Sequence, residues 1–154
     1  MIDIVPYGSA QEIEPLIEQL EARIGSPLPG PYRSFLRRSN GGDPVSSNHY
    51  LEDPSPGLEV RYFLGLGLDD FADINSTMGN LEGGIPAGLL PIAEAAQGDM
   101  VLLSVAGDAP GAVLYWDHER EGLPGEVTHL ADDFDEFLER LVPDDDEYWA
   151  AMTS

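Results

Sequence analysis

Leu28-Pro29-Gly30-Pro31-Tyr32-Arg33-Ser34-Phe35-Leu36-Arg37-Arg38-Ser39-Asn40-Gly41-Gly42 contains a joint, a short helix and a stop. The proline-rich opening cannot continue a preceding helix, because proline lacks an N–H and fixes φ. From Pro31 to Ser39 the spacing predicts a helix, with Tyr32, Phe35 and Leu36 facing inward and Arg33, Arg37 and Arg38 facing water. Asn40, Gly41 and Gly42 end it, since these residues tolerate the left-handed conformation common at helix C-termini.

Upstream, Ile13, Leu16, Ile17, Leu20 and Ile24 fall on one face of a 3.6-residue period, and Gly25 follows as a stop. Ser9 and Glu12 have the spacing of a capping box. Pro15 sits late for a first turn, so the helix is expected either to start closer to it or to kink there. Downstream, strand-like runs lie at 49–51, 60–64, 89–93, 100–105, 112–117 and 126–130, separated by turn residues. A helix is expected over 68–78, with Leu68, Phe71, Ile74 and Met78 on one face, and a glycine-rich loop over 80–88. A last helix carries Phe134, Phe137, Leu138 and Leu141, capped by Asp132 or Asp133. Two helices, then mainly antiparallel strands, then a closing helix give an α+β class. The expected division is one domain over 1–142 and an acidic tail over 143–154.

Several of these pieces, in this order, resemble the SUKH superfamily, best known through the Smi/Knr cell-wall regulators. The opening signature is Leu28 to Tyr32, Phe35-Leu36 and Asn40-Gly41-Gly42. Leu90-Pro91-Ile92, the Gly98-Asp99 turn, the Gly111-to-Val113 run with Tyr115, Trp116, Asp117 and His118, and the Leu130-Ala131, Phe134 and Phe137-Leu138 end follow. The likeness runs from about residue 12 to residue 142, with the 67–88 segment departing from it. It implies a twisted, mainly antiparallel sheet with N-terminal helices and a C-terminal helix packed against it. It also implies a role in protein binding: bacterial members as immunity proteins that neutralise toxins, often nucleases, and fungal members as scaffolds in cell-wall signalling.

Charge narrows the function classes. The chain has 29 acidic residues, seven arginines and no lysine, for a net charge of −22. Residues 1–40 hold five acids and four arginines, a net of −1; residues 41–154 hold 24 acids and three arginines, a net of −21. Such a field repels nucleic acid and anionic membranes and speeds encounter with basic partners. Acidity also serves solubility, so alone it selects no function. The opening MIDIVPYG has neither the basic region nor the apolar core of a secretory signal. No apolar run approaches the roughly 18 residues that span a bilayer. With no cysteine there is no disulfide and no thiolate metal site, and the expected location is the cytoplasm.

The site residues expected from sequence are acids in loops and at strand ends: Asp43, Glu52, Asp53, Glu59, Asp69, Asp70, Asp117 and Glu119. They would meet a protein toxin with a basic surface, such as a nuclease domain that must itself face phosphate. If the strand continues past Trp116, Asp117 and Glu119 point the same way and suit a clamp on arginine or lysine. Trp116 itself is read as core. His49, His118 and His129 have no metal-ligand spacing, and Asp144 to Glu147 lacks the pattern of a calcium loop, so no metal and no cofactor are expected. Gly65-Leu66-Gly67 does not extend to a dinucleotide fingerprint, and Asp69 and Asp70 beside it would repel phosphate. No nucleophile elbow or base motif is present, so the chain reads as a binding protein rather than an enzyme. Oligomeric state is left open between monomer and homodimer.

Overall fold

In the computed structural model the described residues are 2–8, 12–51, 58–68, 70–81, 84–107, 109–120, 122–124 and 126–144. Helix α1 (Ile13–Ile24) buries Ile17 and Leu20, and Gly25 closes it at φ 76° with its N–H on the Glu21 carbonyl. Its start at Ile13 places Pro15 in the first turn, where a missing N–H costs no helical hydrogen bond. Ser9 lies outside the described residues, and the N-cap Glu12 makes no side-chain capping bond. Helix α2 (Gly30–Arg38) buries Tyr32, Phe35 and Leu36, as the spacing predicts.

Among the described residues nine strands follow the helical code less visibly. β1 is Ile4–Pro6, β2 Gly42–Pro44, β3 Asn48–Tyr50, β4 Val60–Phe63, β5 Leu89–Ala95, β6 Met100–Ser104, β7 Val113–Trp116, β8 Val127–Ala131 and β9 Leu141–Pro143. Seven form one antiparallel sheet in the order β1-β2-β4-β5-β6-β7-β8, and β3 pairs with β9 in a second. The fold is therefore α+β with a mainly antiparallel sheet, as expected. Helix α4 (Phe134–Arg140) is capped by Asp133, whose carboxylate accepts from the Glu136 N–H. α2 packs on α1 and on α4. Phe35 of α2 meets Phe63 of β4 at 5.4 Å and Phe134 of α4 at 4.9 Å between ring centroids, so these helices seal one face of the sheet.

Three expectations change. β1, β2 and β9 are absent from the sequence reading, and Leu141 leaves the last helix to pair with Tyr50. The helix expected over 68–78 is split into a single turn, Asp70–Ala72, and α3 (Ile74–Asn80). Asp73 causes the break: half outside the helix, its carboxylate caps α3 through the Ser76 N–H. Phe71, expected on the inward stripe, is 61 % exposed as a result.

The Asn40-Gly41-Gly42 stop carries more than a helix end. Asn40, at φ 50°, is buried; its amide donates to the Gly8 and Leu66 carbonyls and its Oδ1 accepts from the Leu66 N–H. A Cβ on Gly41 would sit 2.7 Å from the Phe63 carbonyl oxygen, and Gly41 has φ 80°. This position therefore needs glycine twice, for conformation and for space.

Candidate functional site

The face of the sheet turned away from α2 and α4 carries the chemistry. Phe63 packs under those helices, so its neighbour Tyr62 points to the opposite side. Register then carries that side across the sheet: Tyr62 faces Glu94, Glu94 faces Met100, Met100 faces Trp116 and Trp116 faces Val127. Directly opposed residues share a face, so these form one row over five strands. Trp116 is buried, as expected, and its Nε1–H donates to Glu126 at 3.1 Å.

At one end of the row stands an aromatic cluster. Phe71 meets Tyr62 edge-to-face at 5.2 Å. It walls two adjoining openings. One, of about 150 Å³, is lined by Tyr7, Leu68 and Ala72; the other, of about 240 Å³, runs past Tyr62 and Glu94 to Gly98 and Met100. The Tyr7 hydroxyl donates to Asp43 and the Tyr62 hydroxyl to Glu94. Burial, reinforced by the adjacent carboxylate, pushes both phenol pKa values up, so both remain protonated donors.

At the β5–β6 turn, just before Met100, lies Asp99, read from sequence only as a turn residue. It is 7 % exposed. The Tyr115 hydroxyl donates to one carboxylate oxygen; the other accepts from the His118 N–H at 3.1 Å and lies 2.6 Å from His118 Nδ1. That hydrogen bond raises the His118 pKa against an opposing burial effect. Ligand-type atoms of Asp99, Asp117 and His118 lie within 4.8 Å of one another. Both Asp99 oxygens already accept hydrogen bonds, so the cluster acts as a brace between the β5–β6 and β7–β8 turns. Sequence spacing hides it, because residues 99 and 118 meet only through the β6–β7 hairpin.

The expected acids are dispersed. Asp43 is exposed on β2 beside the aromatic cluster. Glu59 precedes β4 and lines a separate groove with Asn48 and Arg61. Asp117 and Glu119 do not share a strand face, since β7 ends at Trp116 and His118–Arg120 form a turn. Asp117 instead accepts from the Glu119 N–H at 3.0 Å and lies 3.8 Å from Arg120. Glu52, Asp53 and Asp69 lie outside the described residues, as does the acidic run from Asp145 onward; of Asp70 only the backbone is described. The residues that sequence reasoning missed are Glu94, Tyr62, Tyr7 and Asp99. The period-2 alternation of 60–64 holds a signal for Tyr62, but nothing local pairs a tyrosine with a carboxylate.

Among the described residues no helix is long and apolar enough to cross a membrane. Residues 14–140 match the SMI1 / KNR4 family (SUKH-1). The chain is also similar to the SPbeta prophage-derived uncharacterized protein YokK of Bacillus subtilis (strain 168), at 27% identity over 92% of this chain and 80% of that protein.

Proposed function

This chain belongs to the SMI1 / KNR4 family (SUKH-1), and from that premise we propose that it is an immunity protein that binds and neutralises a bacterial toxin with a basic surface, such as a nuclease domain. The family includes toxin immunity proteins, and the chain's similarity to a prophage-derived protein fits a setting of competition between genomes. The observation that carries the reading is how acids on the face turned away from α2 and α4 are satisfied. Asp43 and Glu94 receive tyrosine hydroxyls. A phenol fills a lone pair but brings no positive charge of its own. The negative field therefore survives folding and remains available to a cationic partner. Binding blocks the toxin by occupying or neighbouring the surface that would face phosphate, without chemistry on this chain and within the cytoplasm.

The test is capture followed by inhibition. The immobilised protein is exposed to a lysate of its native host at low salt, eluted with rising salt, and the eluate is identified by mass spectrometry. The expected result is one basic polypeptide, retained stoichiometrically, whose toxic activity is abolished by added protein. Replacing Asp43, Glu59, Asp117 and Glu119 together by lysine should weaken that complex by about tenfold or more. A spread of unrelated basic proteins released by modest salt would overturn the reading and leave the regulatory-scaffold role.

A further inference from the structure

We propose that Phe71, with Tyr62 and Tyr7 beside it and Glu94 and Asp43 behind them, is a seat for an arginine side chain presented by the partner. The inference rests on the reading that this chain binds a basic protein, and it names the chemistry of one contact.

Phe71 is a large apolar ring, 61 % exposed, and it is fixed rather than trailing. Its edge-to-face contact with Tyr62 and the short turn before α3 hold it upright between two openings. An exposed aromatic ring with carboxylates at its margin suits a cation over an electron-rich face, with the charge met from the side.

The carboxylates are prepared for that task. Each accepts one phenol hydrogen bond, which fixes its orientation and leaves other lone pairs open. Among the described residues no ion pair joins either of them to a cation of this chain. Among the described residues, Arg33 and Arg37 pair with Glu21 and Glu14, Arg120 with Asp117, and Arg140 with Glu136. Arg61 adjoins Tyr62 in sequence but lines the groove at Ser47 and Glu59.

Arginine fits better than lysine. A planar guanidinium stacks on a ring while its N–H groups reach sideways to a carboxylate; an ammonium is a compact, strongly hydrated point charge. The chain itself uses the same contact elsewhere, with the Arg38 guanidinium 5.4 Å from the Phe35 ring centroid.

The probes are hexa-arginine and hexa-lysine peptides, titrated at low salt by calorimetry and by shifts of aromatic side-chain resonances. Hexa-arginine should bind about fivefold more tightly than hexa-lysine and shift the Phe71 and Tyr62 rings. Phe71→Ala should lower hexa-arginine affinity by about fivefold and leave hexa-lysine within about twofold. Glu94→Gln with Asp43→Asn should weaken both peptides, while Glu139→Gln changes neither by more than about twofold. Circular dichroism melts confirm that each variant is folded. Equal affinities for the two peptides, together with indifference to Phe71→Ala, would overturn the seat and leave only diffuse charge attraction. The immunity reading would survive that outcome, because it stands or falls on capture and inhibition of a toxin.

Discussion

The two faces of the sheet handle charge in opposite ways. On the α1–α2 side arginines neutralise acids: Arg33 meets Glu21 at 2.9 Å, and Arg37 pairs with Glu14. On the opposite side tyrosines hydrogen-bond acids without supplying a counter-charge: Tyr7 to Asp43 and Tyr62 to Glu94. The first arrangement closes a layer, and the second keeps a surface negative while holding its carboxylates in place. Large side chains divide the same way. Phe35 is sealed at 1 % exposure among Tyr32, Phe63 and Phe134, whereas Phe71 is open.

The sharpest way to test this contrast compares those two phenylalanines. Phe35→Ala should cost about 3–5 kcal/mol, the usual loss for a large aromatic removed from a core. Phe71→Ala should cost less than about 1 kcal/mol, the value of an edge-to-face contact with Tyr62. Chemical denaturation of both variants reads the difference. Equal losses would mean that Phe71 is structural.

Asp99 gives the next largest effect. Asp99→Asn replaces an acceptor oxygen by a donor amide among groups that already donate, so a loss of about 1–3 kcal/mol is expected. The same variant should lower the His118 pKa toward its ordinary value, read by imidazole titration in NMR. The sign of the pH dependence follows from that pairing. A raised folded pKa makes the His118–Asp99 contribution complete below about pH 6.5 and lost as pH rises through the higher folded value. The melting temperature of the native chain should therefore fall over that window relative to His118→Gln. A parallel pair of curves would show that the brace carries no charge.

The smallest effect lies within the closed layer. The Tyr32 hydroxyl is the buried side-chain polar atom left without a partner among the described residues. Tyr32→Phe removes it while keeping the ring that packs on Phe134. Stability should be unchanged or rise by up to about 1 kcal/mol, since an unsatisfied buried hydroxyl carries a desolvation cost. A clear loss on denaturation would reveal a hydrogen bond for that hydroxyl.

The sequence by itself determined α1, α2, α4 and the central strands β4 to β8, along with the acid excess beyond residue 40. Each is written in local periodicity, capping chemistry or composition, which neighbours in the chain suffice to express. Tertiary structure alone decided the rest. Strands β1, β2 and β9 are three residues each, all three ending in proline as IVP, GDP and LVP, and they hold only because a partner strand supplies their hydrogen bonds. Asn40 appears in sequence as a helix stop, yet it ties residues 8 and 66 together. Which acids stay charged and which are neutralised also lay beyond the sequence. A hydroxyl or guanidinium meets its carboxylate across 36 residues at Tyr7–Asp43 and 23 at Arg37–Glu14, and only strand register and helix packing set those pairings.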